Sequence, residues 1–283
     1  MSIWKNKLCI LLRDYDFISI DDHMGVLKNA GFDGFFSSYE NVDEYGRLAK
    51  KHGMIYQSIH GSYRHARDIW YDEGEKGELG VTDLVKSLED AHRNNVPIVI
   101  THAFVGFEDH TTTDMGLERY ARVMKKAEEL EVIMAFENTE GEEFLAAVMT
   151  EFKSSPSLGF CWDTGHEMCY NHSKDMLALY GDKLVGTHIS DNLGISDFEG
   201  RIVPSDDLHL LPFDGIADWD YNMARLDKCG FEGALTFELD RRHKHNRHET
   251  DAYFDMSFEA YIASCYMRAC RVASKRRLST KHI

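Results

Sequence analysis

Eight short apolar runs, spaced regularly along the 283-residue chain, constrain the fold more than any other feature. Each run has the length of a strand and is rich in valine, isoleucine, phenylalanine or leucine. The predicted strands are 7–13, 32–38, 55–61, 97–103, 132–138, 158–164, 184–191 and 233–239. Segments with helical periodicity separate them, and strict alternation is typical of a parallel sheet. Because eight such units close a barrel, we predict an α/β protein with a single (β/α)8 TIM barrel.

An open, doubly wound sheet is the alternative fold. It predicts a glycine-rich phosphate-binding turn after the first strand, where this chain has Asp14, Tyr15 and Asp16. No linker or change of composition divides the sequence, so we expect one domain over 1–283. It ends in a helix at about 250–273, followed by a short basic tail that we expect to be solvated. That helix is expected to pack on the barrel, with an oligomer interface as the alternative.

Charge and composition narrow the classes of partner. The formal net charge of −16 predicts repulsion from nucleic-acid phosphates. The six cysteines form no CxxC pair, which favours reduced thiols, and no apolar run approaches the roughly 20 residues of a membrane span. We therefore expect a cytoplasmic protein with a small-molecule partner, no nucleic-acid partner and no membrane partner. A homo-oligomer is compatible with the sequence.

Two long inserts follow predicted strands, at 64–80 and 192–216. Long loops at the C-terminal face of a barrel commonly build the substrate pocket or its lid. The first insert and its flank carry the aromatic residues Tyr63, Trp70 and Tyr71, which suit a small polar substrate.

Metal-ligand residue types stand at the ends of six predicted strands and in the loop before the last unit. They are His60, His102, Glu137, Asp163, His166, His188, Asp191, Asp207, His209 and Glu238. Strand ends converge on the barrel axis, and so many carboxylates buried together need a cation to neutralise them. We therefore predict a divalent metal site, although Asp163 taken alone is also explained as the N-cap of the next helix.

The donor types indicate which metal suits the site. Glu137, Asp163, His188 and Glu238 form an oxygen-rich set of three carboxylates and one imidazole. Such a set suits Mn²⁺, Mg²⁺ or Co²⁺ at least as well as Zn²⁺. We expect a second set to hold further metals or to orient the substrate and the metal ligands: His60, His102, Asp207 and His209.

Four motifs in this order carry a resemblance: FENTEG at 136–141, WDTGH at 162–166, THISD at 187–191 and DLHLLP at 207–212. Together they resemble the xylose isomerase-like barrel superfamily, in its sugar (phosphate) isomerase/epimerase and endonuclease IV-type branch. The resemblance implies metal ligation by Glu137, Asp163, His188 and Glu238, with Glu137 and Glu238 also acting as the catalytic acid and base.

The resemblance also implies a set of substrate-binding residues. They are His60, His102, Glu143, His166, Asp207, His209 and Arg201. Glu143 is equally well explained as an exposed helix residue. The epimerases usually carry an arginine where this chain has Gly194, and Arg201 is the nearest one. Arg64 and Arg67 are further candidates for phosphate recognition.

These features predict a divalent-metal-dependent isomerase or epimerase that abstracts a proton next to a metal-bound carbonyl or hydroxyl of a sugar, sugar phosphate or polyol. An endonuclease IV-like AP endonuclease with a multi-zinc site is an alternative, but the predicted loops are acidic where DNA binding needs a basic rim. A metal-dependent dehydratase on the same scaffold is another. A non-catalytic binding barrel is disfavoured by the complete ligand set.

Overall fold

A computed structural model describes residues 4–108, 110–244 and 246–276. The strands are β1 Leu8–Leu11, β2 Gly34–Ser38, β3 Ile55–His60, β4 Ile98–His102, β5 Ile133–Glu137, β6 Leu158–Asp163, β7 Leu184–His188 and β8 Leu235–Phe237. They form one parallel sheet in the order β7-β6-β5-β4-β3-β2-β1-β8. Ile189 N donates to Thr236 O at 2.8 Å, and Glu238 N donates to Ile189 O at 3.1 Å. These bonds join β7 to β8, and the predicted (β/α)8 barrel is confirmed.

The helices alternate with the strands as the periodicity predicts. They are α1 Ile20–Ala30, α2 Val42–His52, α3 Ala66–Tyr71, α4 Glu75–Asn94, α5 Asp114–Leu130, α6 Glu142–Glu151, α7 Thr164–Cys169, α8 Met176–Tyr180, α9 Trp219–Lys228, α10 Asp251–Phe254 and α11 Phe258–Ala273. The C-terminal helix predicted at 250–273 is two helices, because Ser257 starts a new one by accepting a hydrogen bond from Ala260 N. The second, α11, packs against α1 and α9.

The insert at 64–80 is helical, so the prediction of a long loop there is wrong. Helices α3 and α4 occupy most of it, and Trp70 is fully buried with Nε1 donating to Ala103 O at 2.7 Å. Burial of Ile69, Trp70 and Val81 gives this pair of helices an apolar face that packs into the protein. Trp70 is therefore a core residue and not a substrate contact.

The barrel interior is closed below its polar end. His102 faces the axis, so Ile98 and Ile100 on the same strand face it too, and they cluster with Ala135 and Cys161. A Cβ placed on Gly186 would lie 3.7 Å from both Ile100 Cδ1 and Cys161 Sγ, which shows how little space remains. The barrel is a packed core here, and its chemistry is confined to the C-terminal end of the strands.

The basic tail is held to the barrel in its described part. Lys275 Nζ lies 2.7 Å from Asp220 Oδ2. Arg276 is buried, with Nε donating to Asp227 Oδ1 at 2.8 Å and Nη2 to Phe231 O at 2.8 Å. The expectation of a solvated tail is therefore wrong for Arg276, because acidic and carbonyl acceptors bind it, while Arg277 lies outside the described residues. No helix in the described ranges is long and apolar enough to cross a membrane.

Candidate metal centre

Glu137, at the end of β5, lies at the centre of the strand-end residues. Its carboxylate is buried, and Oε1 is 2.9 Å from His188 Nδ1. Oε2 is 3.3 Å from His60 Nε2 and 3.3 Å from His102 Nε2. One carboxylate thus contacts imidazoles from three other strands, which is the convergence expected of a barrel.

Glu137, Asp163, His188 and Glu238 form a four-residue group, each offering a ligand atom within 4.8 Å of the others. Glu238 Oε2 is 3.0 Å from His188 Nδ1. Asp163 Oδ1 accepts a hydrogen bond from His166 N at 2.6 Å and caps α7, while its Oδ2 is buried and has no hydrogen-bond partner among the described residues. The interpretation of Asp163 as a helix cap is confirmed, and its second oxygen remains available to the group.

Two further groups adjoin this one. His60, His102 and Glu137 form the first, and His166, Asp207 and His209 the second. In the second, Asp207 Oδ2 is 2.7 Å from His209 Nε2 and 3.7 Å from His166 Nε2. His209 has a φ of 53°, a left-handed backbone conformation that is uncommon outside glycine and is found at functional sites.

The site's carboxylates and imidazoles shift each other's pKa values in opposite directions. Burial alone would raise the pKa of Glu137, but His188, His102 and His60 hold it well below its usual range. Burial opposes protonation of His188, yet Glu137 and Glu238 raise its pKa well above the usual value. Burial, reinforced by Glu137 and Glu238 and opposed by His166, raises the pKa of Asp163 to about 7. His188 therefore acts as a counter-cation of the carboxylates Glu137 and Glu238.

The donor set fits a divalent metal. Buried polar atoms without a hydrogen-bond partner among the described residues include Asp163 Oδ2, Glu137 Oε2, His188 Nε2 and Asp207 Oδ1. Such atoms are costly to leave unsatisfied, and all four belong to ligand types. Cys161 also lies near Glu137 and His188, but burial and the carboxylates raise its thiol pKa well above the usual value, which disfavours a thiolate ligand.

A cavity of about 460 Å³ opens above this centre. The predicted site residues that line it are His60, His102, His166, Asp207, His209 and Glu238. Tyr63 lines it too and stacks on His102, with ring centroids 4.8 Å apart. Glu137 lies beneath this lining, in contact with His60 and His102.

Two predicted substrate-binding residues are not brought to the cavity lining. Arg201 is exposed and lies 2.6 Å from Asp197 Oδ2 on its own loop. Glu143 Oε1 is 2.6 Å from His110 Nδ1. Arg201 lies on a loop and Glu143 in α6, so the end of a strand positions neither side chain.

Comparison with known proteins identifies the family of this barrel. A family model described as the xylose isomerase-like TIM barrel matches residues 24–257. The chain belongs to this family. A curated relative, the uncharacterized protein y4fM of Sinorhizobium fredii, is 37% identical over 86 residues, which are 30% of this chain and 24% of the relative. The match thus spans about a quarter of that relative's length.

Solved structures share the same fold at low sequence identity. D-psicose 3-epimerase from Clostridium cellulolyticum is similar with a TM-score of 0.70 and 14% identity, over 96% of this chain and 100% of that one. The 3-keto-D-glucoside 4-epimerase YcjR from E. coli gives 0.62 and 16%, over 92% and 100%. At these identities the likeness shows the fold alone.

In this xylose isomerase-like barrel, Asn138 organises the centre, a role that the sequence interpretation missed. Its Oδ1 accepts from Asp163 N at 2.7 Å, and its Nδ2 donates to Asp163 O at 2.9 Å. Its carbonyl oxygen lies 3.0 Å from His166 Nδ1, which leaves the other ring nitrogen toward Asp207. The sequence signal that indicates this role is the position of Asn138 directly after Glu137, at the end of a predicted strand.

Asp191 was expected among the strand-end ligand types, and the structure gives it a different role. Its Oδ1 accepts from Ala217 N at 3.0 Å, and Oδ2 from Phe213 N at 2.7 Å and Trp219 Nε1 at 3.1 Å. Both oxygens are thus occupied by N–H donors of the loop that follows β7 and of the first residue of α9. Asp191 holds the loop that carries Asp207 and His209, and it joins none of the candidate metal groups among the described residues.

Proposed function

We propose that this protein is a divalent-metal-dependent isomerase or epimerase that acts on a sugar or sugar derivative by proton transfer at a carbon next to a carbonyl. The observation that carries the proposal is the pair of carboxylates, Glu137 and Glu238, which both contact His188 Nδ1 at the floor of a polar cavity. Membership of the family supports it, as do epimerases that share the barrel.

Glu137, Asp163, His188 and Glu238 would hold the metal. Three carboxylates and one imidazole favour Mn²⁺, Mg²⁺ or Co²⁺, with Zn²⁺ also suitable. When bound there, a divalent ion polarises a substrate carbonyl and stabilises the negative charge that develops on its oxygen.

Glu238 is the base in this proposal. It lines the cavity, and its side chain is 16% exposed whereas that of Glu137 has no exposed area. Although burial would raise its pKa, His188 and His209 lower the pKa of Glu238 to about 2, so the carboxylate is ionised and able to accept a proton. Glu137 reaches the cavity through His60 and His102, so the proton returned to the substrate would come by way of one of these imidazoles, with the Glu137 carboxylate behind it.

Hydrogen exchange into sugars tests the proposal. The purified protein, loaded with Mn²⁺, is incubated in deuterated water with a panel of ketoses, aldoses, sugar acids and sugar phosphates, and deuterium is located by NMR. We expect one or more sugars to exchange a hydrogen next to the carbonyl, and Glu238→Gln to slow exchange by about 100-fold or more. Glu151→Gln, an exposed change at the end of α6, is the control. Absence of exchange across the whole panel would contradict the proposal.

A second candidate function is phosphodiester hydrolysis at a multi-zinc site. The specific observation that favours it is the presence of three adjoining carboxylate–imidazole groups, where an epimerase needs one. The net charge of −16 disfavours a DNA substrate. Elemental analysis and a binding assay with an abasic-site DNA duplex separate the two functions. Two or three zinc ions per chain, together with salt-sensitive binding of the duplex, would favour the nuclease.

A further inference from the structure

Arg13 lies on the cavity wall and belongs to none of the metal groups. It follows β1, two residues after Leu11, and both residues line the cavity. Because alternate residues of a strand share a face, Arg13 continues the inward-facing row of β1. Its guanidinium is therefore presented to the space above the metal centre.

The positive charge of Arg13 is poorly neutralised by the protein. Its nearest ion-pair partner is Asp240, with Nη2 at 3.7 Å from Oδ2, which is beyond hydrogen-bond distance. Asp240 is already bound by Arg242, which donates from Nη2 at 2.6 Å, from Nε at 3.0 Å and from its backbone N at 2.9 Å. Arg13 Nε is buried and has no partner among the described residues. A buried donor of a charged group without a partner costs free energy that a bound anion would recover.

A second arginine reaches the same cavity from the loop after β3. Arg64 is exposed and makes no hydrogen bond or ion pair with the residues that the structure describes. Tyr63 lies next to Arg64. Burial and Glu238 raise the pKa of Tyr63, and Arg13 partly opposes this shift. The charge of Arg13 therefore acts across the cavity, at the side chain beside Arg64.

The rest of this wall suits a sugar. Ser38, Tyr39 and Ser62 line it with hydroxyl groups and no charge. Hydroxyls pair with sugar hydroxyls, whereas a guanidinium fork pairs with the oxygens of a carboxylate or a phosphate. The cavity thus has proton-transfer residues at its floor, and on its β1 wall a guanidinium whose ion-pair partner, Asp240, lies beyond hydrogen-bond distance.

We propose that Arg13, with Arg64, binds an anionic group of the substrate, so that the substrate class is a sugar acid or sugar phosphate and not a neutral sugar. This inference rests on the proposed function for the sugar part of the ligand. Carboxylate and phosphate present the same chemistry to the two arginines, and the experiment separates them by using one probe of each kind.

Calorimetric binding of D-glucose, D-glucuronate and D-glucose 6-phosphate to the full chain as purified tests the proposal. We expect at least one anionic probe to bind about tenfold or more tightly than D-glucose, with affinity that falls as salt is added. Arg13→Gln should remove this preference and Arg64→Gln should reduce it. Arg13→Lys should keep part of it, since the charge remains but the planar fork is lost. Arg47→Gln, the same change at an exposed residue of α2, should leave the preference intact.

Three outcomes would overturn the inference: equal affinity for all three probes, no measurable binding of either anionic probe, or a preference that survives Arg13→Gln. The last outcome would assign the anion to the metal centre. Binding is measured without turnover, so its failure is distinct from failure of the proposed function. Intact anion preference without hydrogen exchange into any sugar would count against the proposed function alone.

Discussion

The floor of the cavity and the loops around its mouth are built in different ways. Glu137, Asp163 and His188 are fully buried at strand ends and contact one another across the barrel. Arg201 and Glu143 lie on loop or helix surfaces and pair with nearby Asp197 and His110. Strand geometry forces the first set together, whereas no backbone constraint brings the second set to the site. Functional residue types are therefore informative at strand ends, and in loops only where the loop is itself anchored, as Asp191 anchors the one that carries Asp207 and His209.

We expect the largest effect from Asp163→Asn, which should weaken metal binding at the cavity floor without disturbing the fold. Asp163→Asn keeps an oxygen that can cap α7 but removes the charge, so we expect metal affinity to fall by about 100-fold or more. Titration of Mn²⁺ into chelator-treated protein measures this. Asp218→Asn is the matched control, because Asp218 caps α9 in the same way, accepting from Tyr221 N at 2.9 Å. Equal affinity in both variants would remove Asp163 from the metal centre.

Asp191→Ala tests whether Asp191, after β7, holds the loop that carries Asp207 and His209. The substitution leaves Phe213 N, Ala217 N and Trp219 Nε1 without acceptors in a buried site, so we expect a loss of about 3 kcal/mol in the free energy of unfolding. Urea denaturation measures it. Asp197→Ala, on the exposed part of the same loop, should cost much less. Similar losses in the two variants would contradict the organising role of Asp191.

Metal affinity should depend on pH in a direction set by the imidazoles. Carboxylate neighbours raise the pKa of His188 and His166 well above the usual value, against the effect of burial. These charged pairs stabilise the metal-free protein fully below the ordinary histidine pKa of about 6.5, and their contribution is lost as pH rises through the raised pKa. A metal must displace the same protons, so its affinity should rise with pH. Below the raised pKa values, we expect the affinity to fall by about tenfold for each unit by which the pH is lowered and for each proton displaced.

Calorimetry of Mn²⁺ binding in two buffers of different ionisation enthalpy counts the released protons. Release of at least one proton per chain at about pH 7 is the expected result. Metal affinity that is the same at about pH 6 and about pH 8, with no proton released, would show that these histidines are already neutral without metal.

Arg201→Gln should have the smallest effect. Arg201 is exposed and paired with Asp197, outside the cavity lining, so we expect less than about a twofold change in the KM of any sugar that the protein turns over. Steady-state kinetics measures this, with Arg13→Gln run beside it. A larger loss in Arg201→Gln than in Arg13→Gln would show that the loop rearranges on binding.

Much of the fold and of the floor follows from the sequence, for a definable reason. The alternation of apolar runs predicts the barrel, and a barrel places every strand end at one face, so His60, Glu137 and Glu238 meet there. Asp163 and Asp191 show where this reasoning stops. Both are aspartates at the end of a predicted strand. Loop N–H groups bind both oxygens of Asp191, whereas Asp163 Oδ2 has no hydrogen-bond partner in the part of the chain that the structure describes.

Other features depend on contacts that a linear pattern does not contain. The segment at 64–80 is rich in charge and glycine, and its helical structure depends on burial of Ile69 and Trp70 against the rest of the protein. Arg13 belongs to no motif. It becomes notable only because Arg242 occupies Asp240, the acid that Arg13 would otherwise bind.

The most direct test of the central claim, that the strand ends form a metal centre, is the metal content of the purified protein and of Asp163→Asn. Both are prepared without added metal, treated with chelator and reloaded. We expect the unsubstituted protein to hold at least one Mn²⁺, Co²⁺, Mg²⁺ or Zn²⁺ tightly per chain, and Asp163→Asn to lose it. A natural chain that holds no metal after reloading, or a variant that holds as much, would contradict it.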